Sequence, residues 1–330
     1  MFLRRFKGTG PEVIALIFIV TVLVWIGPIL NPANPSSPDF EVEPMPLFGL
    51  LASITGQNQI VGLLLTILLV LLTAFLLVNF NTSGFFISER TFLPALFYIL
   101  FSGLFPTEQV LNPALPAAIF LILAVRKIMD SYKIQYTAFS FFDAGLLIST
   151  GSLFYAGFIW FGLLLIIGIV ILRTGNVREI IISLLGLITP WFITFGLYYV
   201  TDNDPGSLLS AIKYNLSVPV RDISLTGIEI AALTGLGIIL VISILFLFSV
   251  INTKKIKSRK TFILLMWAFI ISAGIYFFAK GVSIEILWLA GVPASYLLSH
   301  YFVFSKRRFI PEILFSLLFV LVALMQIGRP

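Results

Sequence analysis

Cysteine is absent from all 330 residues, and histidine occurs once, as His300. The first absence excludes disulfides, thiolate catalysis and zinc–thiolate sites, and leaves the redox compartment open. A single histidine cannot build a histidine-rich metal centre. Charge is scarce too. Asp, Glu, Lys and Arg make up 11% of the chain, whereas soluble domains carry roughly a quarter. No phosphate-binding glycine loop, serine triad or zincin signature occurs. Nor is there the strict apolar–polar alternation of a membrane barrel, or a stretch long and polar enough to fold as a separate soluble domain.

What the chain has is apolar surface: 59% of residues are hydrophobic and the mean hydropathy is +1.08. Apolar runs near the ~20 residues that a helix needs to cross a bilayer recur from end to end. The sequence therefore predicts an all-α, polytopic transmembrane helix bundle, with residues 1–330 forming a single membrane domain. The expected spans are Pro11–Leu30, Ile60–Phe80, Phe92–Phe105, Ala114–Val125, a hairpin starting near Thr137 and again near Leu153, Ile180–Val200, Leu225–Phe248, Thr261–Ala279, Ile284–Phe304 and Ile310–Ile327. The hairpin is inferred because Tyr136–Leu172 is too long for one crossing at about 1.5 Å per residue. Gly145, Gly151 and Gly157, with Ser149 and Ser152, punctuate it. The stretch Phe139–Trp160 is the expected organising centre, because Asp143 places a carboxylate at membrane depth, and such groups mark sites or packing contacts.

With about eleven spans and a cytoplasmic N-terminus, every lysine and arginine except Lys213, Arg221, Lys280 and Arg329 falls on the inner side. That asymmetry is what orients a membrane protein, and it puts the C-terminus in the periplasm. Fusing the two hairpin spans would place the 254–260 basic cluster outside. The net charge of +6 thus has a topological cause, and no nucleic-acid partner is expected.

The same topology sends Asp39, Glu41, Glu43, Glu108, Asp202, Asp204 and Asp222 to outer loops, with Glu229 and Glu285 near outer helix ends. A face rich in carboxylates suits a divalent cation such as Mg or Mn, or acid–base work on a polar substrate; solvated loops are the plainer account. Lys280 with Glu285 reads as a boundary ion pair, and His300 as an interface residue. MPLFGLLASITG from Met45 and SLLSAIKYNL from Ser207 read as interfacial helices, the second with Leu208, Leu209, Ile212 and Leu216 on one face.

Three features together resemble the GT-C superfamily of multi-pass glycosyltransferases: the first span with its acidic outer loop, the short pair RTFLPALFYILFSGLFPTEQVLNPALPAAIFLILAVRKI, and the stretch from DAGLLISTG to FGLYYV. The resemblance covers roughly residues 10–200, the first seven spans, and leaves 201–330 as additional C-terminal spans. The chain is also similar to an uncharacterised multi-pass family of Bacteroidota, which implies a bacterial inner-membrane setting. The GT-C resemblance implies a polyprenyl-phosphate-linked sugar donor and a catalytic base among Asp39, Glu41 and Glu43. Outer cations such as Lys213 and Arg221 would then bind the carrier phosphate. The first loop is short for that class, and no paired-acid signature closes the first span. Three readings stand: a periplasmic-face transferase of lipid-linked sugar, a non-catalytic membrane subunit of an envelope-assembly or secretion complex with protein partners in the inner membrane, and a transporter or flippase using Asp143. Membrane lipid is a partner in all three.

Overall fold

The computed structural model describes residues 2–31, 43–56, 58–132, 138–173, 177–201, 204–217, 226–307 and 309–327. Among these, every regular element is helical. In chain order they are α1 (Phe2–Phe6), α2 (Pro11–Val24), α3 (Ile26–Leu30), α4 (Pro46–Thr55), α5 (Gln59–Gly84), α6 (Leu93–Ser102), α7 (Ala114–Asp130), α8 (Ala138–Ser152), α9 (Gly162–Arg173), α10 (Val177–Val200), α11 (Pro205–Ser217), α12 (Gly227–Val250), α13 (Ile256–Phe278), α14 (Leu287–Phe304) and α15 (Phe309–Ile327). Short 3-10 turns at Ala156–Phe161 and Ile284–Ile286 lead into α9 and α14.

Among the described residues, six helical stretches are long and apolar enough to cross a membrane: α5, α10, α12 with the turn after it, α13, α14 with the turn before it, and α15. The other expected spans are helical but shorter or interrupted. The first breaks at Trp25 between α2 and α3. The third contracts to the ten residues of α6, because residues 85–92 enter it as irregular chain. Phe85 and Ser88 in that entry adopt positive φ, 47° and 66°. Asn81, fully buried on α5, holds the segment: its amide donates to the Glu89 carbonyl and its Oδ1 accepts the Ile87 N–H. Phe86 and Ile87 are buried, so the bundle itself covers this irregular backbone.

α14 lies at the centre, against α6 and α7 on one side and α12 and α13 on the other. Its membrane-length stretch is 83% buried, against 17% for that of α10. The organising element is therefore α14 and not Phe139–Trp160, whose α8 packs on the flank between α7 and α10. Lipid tails are as apolar as leucine, so helices associate through close packing and polar contacts and not by escape from water. Both devices are present. Tyr296 on α14 donates to the Leu77 carbonyl at 2.7 Å, and its ring meets Phe80 and Phe86. α8 and α10 approach backbone to backbone: a Cβ at Gly145 would stand 2.5 Å from the Ser183 carbonyl oxygen, and one at Gly186 would strike the Phe142 carbonyl oxygen. Gly145 is thus a helix-packing glycine. The chain reverses later, at residues 153–155, between α8 and the turn that opens α9.

Pro94 and Pro116 sit in first turns, where no intrahelical N–H is lost, while Pro190 lies within α10. The two segments expected to lie in the interface are helical, as α4 and α11. The buried face of α11 is Leu208, Ala211 and Asn215, and Leu209 points outward, 60% exposed.

Candidate functional site

Polar contacts gather at two ends of the bundle. At one end, Lys7 and Lys254 both feel Glu89, Lys127 pairs with Asp143, and Lys260 lies over the Tyr132 ring. At the other, Trp25 Nε1 donates to Ser102, Gln109 to the Val24 carbonyl, and Gln326 to the Gly103 carbonyl. Of the carboxylates that the sequence reading sends outward, Glu43, Glu108, Asp204, Glu229 and Glu285 are among the described residues, and Glu108 adjoins Gln109 of this second group.

Most of the described acids there serve the fold. Glu229 closes a capping box with Thr226 at the start of α12, accepting the Thr226 N–H at 2.7 Å. Asp204 accepts the Gly206 N–H at 2.9 Å as α11 begins. Glu108 accepts an amide hydrogen from Asn112 at 3.1 Å. Glu285 is 1% exposed; its Oε1 accepts the Tyr155 hydroxyl at 2.8 Å and the Ser283 N–H at 2.9 Å. The expected Lys280–Glu285 ion pair does not form: the Ile284–Ile286 turn carries the carboxylate inward, and Lys280 stays exposed. The Glu285 Oε2 has no partner among the described residues.

Asp39, Glu41 and Arg221 lie outside the described residues. Glu43 is exposed just before α4, and its carbonyl oxygen accepts the Asn215 side-chain amide at 2.7 Å. Lys213 is exposed on the same helix as Asn215. The first outer loop and α11 therefore meet, although what joins them is Asn215. α11 is seated there because Gly281 has no side chain: a Cβ would strike the Asn215 carbonyl. Asp143, in the first turns of α8, pairs with Lys127 Nζ at 2.8 Å, with both side chains close to half exposed. Among the described residues no three His, Asp or Glu side chains lie close enough to hold a metal ion, so a cation site would draw on the acids outside them.

The cavities differ in kind. One between α6 and α14, bounded by Tyr98, Glu108 and Trp288, measures about 10 Å³, room for one water. Two larger ones are lined mainly by apolar side chains. The first, about 300 Å³, lies between Trp160 and Phe278. The second, about 280 Å³, lies between α12, α13 and α14, with Gly237, Ala273, Ala290 and Ala294 in its walls. A fourth, about 430 Å³, is the basic cleft at the α1 end.

Sequence reasoning missed the burial of Glu285 and of His300. His300 is fully buried among the rings of Phe246, Phe262 and Phe304, with centroids 4.9–5.8 Å away. Its proximity to Ser305–Arg307 suggested an interface, but it faces inward on the most enclosed of the described membrane-length helices. The one available signal for Glu285 was its apolar setting, IEILWLA.

No curated protein and no solved structure matches the chain. One sequence family matches residues 47–328, nearly the whole length, and the chain belongs to it: a family of unknown function, DUF6427.

Proposed function

We propose that this membrane protein is a non-catalytic subunit of the bacterial inner membrane, eleven times crossing with a cytoplasmic N-terminus, that holds the transmembrane helix of a partner in the groove between α12, α13 and α14. The observation that carries this reading is the lining of that groove. Gly237, Ala273 and Ala290 stand among larger apolar side chains in its wall, and small residues let a second helix approach closely where no hydrophobic force drives association. The described outer acids support it too, since Glu108, Asp204, Glu229 and Glu285 are engaged in caps and packing.

Gly237 supplies the test, because a Cβ there meets nothing within 4 Å. Gly237→Trp starts from this open position and projects its ring into the groove, with thermal unfolding as the check that the fold is kept. A photo-crosslinking residue at Ala273 is expected to capture a second membrane protein, and Gly237→Trp is expected to abolish that adduct while expression is unchanged. Adducts to lipid alone would sink the proposal.

A transferase of polyprenyl-phosphate-linked sugar, related in span pattern to GT-C enzymes, is a second reading. The Asn215–Glu43 contact favours it by placing an acid of the first outer loop beside the helix that carries Lys213. Its test is amide substitution of Asp39, Glu41 and Glu43 in turn. Normal glycan in all three variants rejects it. A transporter coupled through Asp143 has less support, because the carboxylate is already neutralised by Lys127 near the helix ends.

A further inference from the structure

The cleft of about 430 Å³ lies between α1 and the junction of α14 with α15. Arg4 and Lys7 line it from one side, Lys306 and Arg307 from the other, and Glu312 is the one carboxylate in its wall among the described residues. Packing builds it. Glu312 accepts the Leu3 N–H at 3.3 Å, and the Lys7 ammonium donates to the Val303 carbonyl at 3.3 Å. The Phe6 ring sits against Phe315 and Phe319, 5.7 and 5.9 Å between centroids. These contacts fix α1 against α14 and α15, so cations from segments about 300 residues apart in sequence converge on one concavity.

A general excess of basic residues in inner loops sets topology, but topology requires no convergence. Three of the four groups, Arg4, Lys306 and Arg307, are exposed to whatever enters. Lys7 is half-buried; burial lowers its pKa, opposed by Glu89 and Glu312. Two guanidinium forks and two ammonium groups match the oxygens of a phosphate. A second feature selects among phosphates. On α15, directly beside the cleft, Ile313, Leu317, Val320 and Leu324 are all exposed. Their spacing places them on one helical face, an apolar track leading away from the cations along the helix. A soluble anion gains nothing from that track, whereas acyl chains lie along it.

We propose that Arg4, Lys7, Lys306 and Arg307 bind the phosphate headgroup of an anionic glycerophospholipid, with its acyl chains on the Ile313–Leu324 face of α15. The full-length protein, purified in detergent, is titrated with dioleoyl phosphatidylglycerol, and retained lipid is counted by native mass spectrometry. The variant Arg4→Gln/Lys306→Gln/Arg307→Gln changes exposed side chains, and thermal unfolding checks that it remains folded. A matched variant, Lys255→Gln/Lys257→Gln/Arg259→Gln, removes equal charge from the basic start of α13. The cleft variant is expected to lose phosphatidylglycerol binding at least about tenfold, since each basic group near an anionic headgroup contributes on the order of a kilocalorie. The matched variant is expected to stay within about twofold of wild type, the change left when no direct contact is lost. Equal loss in both variants would reduce the effect to general charge and overturn the proposal. So would dioleoyl phosphatidylcholine binding as tightly as phosphatidylglycerol. Displacement of the lipid by an equal concentration of inorganic phosphate would reassign the cleft to a soluble anion.

Discussion

The hydroxyl of Tyr155 donates to Glu285 Oε1 at 2.8 Å, across 130 residues of chain, and neither side chain reaches solvent appreciably. The contact joins the turn of the α8–α9 hairpin to the entry of the central helix. A buried carboxyl that loses a donor carries the desolvation penalty uncompensated. Tyr155→Phe is therefore expected to destabilise the protein by about 1–3 kcal/mol, read as a lowered unfolding midpoint in detergent. Glu285→Gln keeps an acceptor for Tyr155 and is expected to cost less. An unchanged midpoint in Tyr155→Phe would show that the pair contributes nothing.

Gly281 and Asn215 make the seat of α11. Because any Cβ at Gly281 meets backbone and not a flexible side chain, α11 has to move. Gly281→Val is expected to lower stability by about 1–3 kcal/mol, as overpacking does. It is also expected to expose α11 to limited proteolysis. Resistance equal to that of the parent protein would contradict the close approach.

The Lys127–Asp143 pair is expected to matter little to stability. Both side chains are more than a third exposed and Lys127 stands in the last turn of α7; exposed pairs are worth about 0.2–1 kcal/mol. Asp143→Asn is expected to shift the unfolding midpoint by no more than this. A larger loss would mean that the carboxylate has a further partner.

Absence of cysteine makes topology directly measurable, because single introduced cysteines have no background. Lys255→Cys and Lys280→Cys flank α13 and are both exposed. A membrane-impermeant maleimide added to intact cells with a permeable outer membrane is expected to label residue 280 and not 255. The reverse pattern would invert the assigned orientation.

Composition by itself determined the class of this protein. Where the solvent is hydrocarbon, backbone groups must be satisfied within each segment, so long apolar runs become helices whatever surrounds them. α5, α12, α13 and α15 were legible for that reason, and so were the reversal near Leu153 and the helices α4 and α11. Lys7 and Lys254, which charge asymmetry assigned to one side, both stand near Glu89.

Hydropathy does not distinguish a helix face that meets lipid from one that meets another helix, since both are apolar. Only the tertiary structure made α14 central and α10 peripheral, enclosed His300 in phenylalanine rings, and turned Glu285 from a boundary ion-pair candidate into a buried acceptor for Tyr155. Those outcomes depend on which helices touch. That is decided by small residues such as Gly145, Gly186 and Gly281 at contacts far apart in sequence, and no local pattern in the chain encodes it.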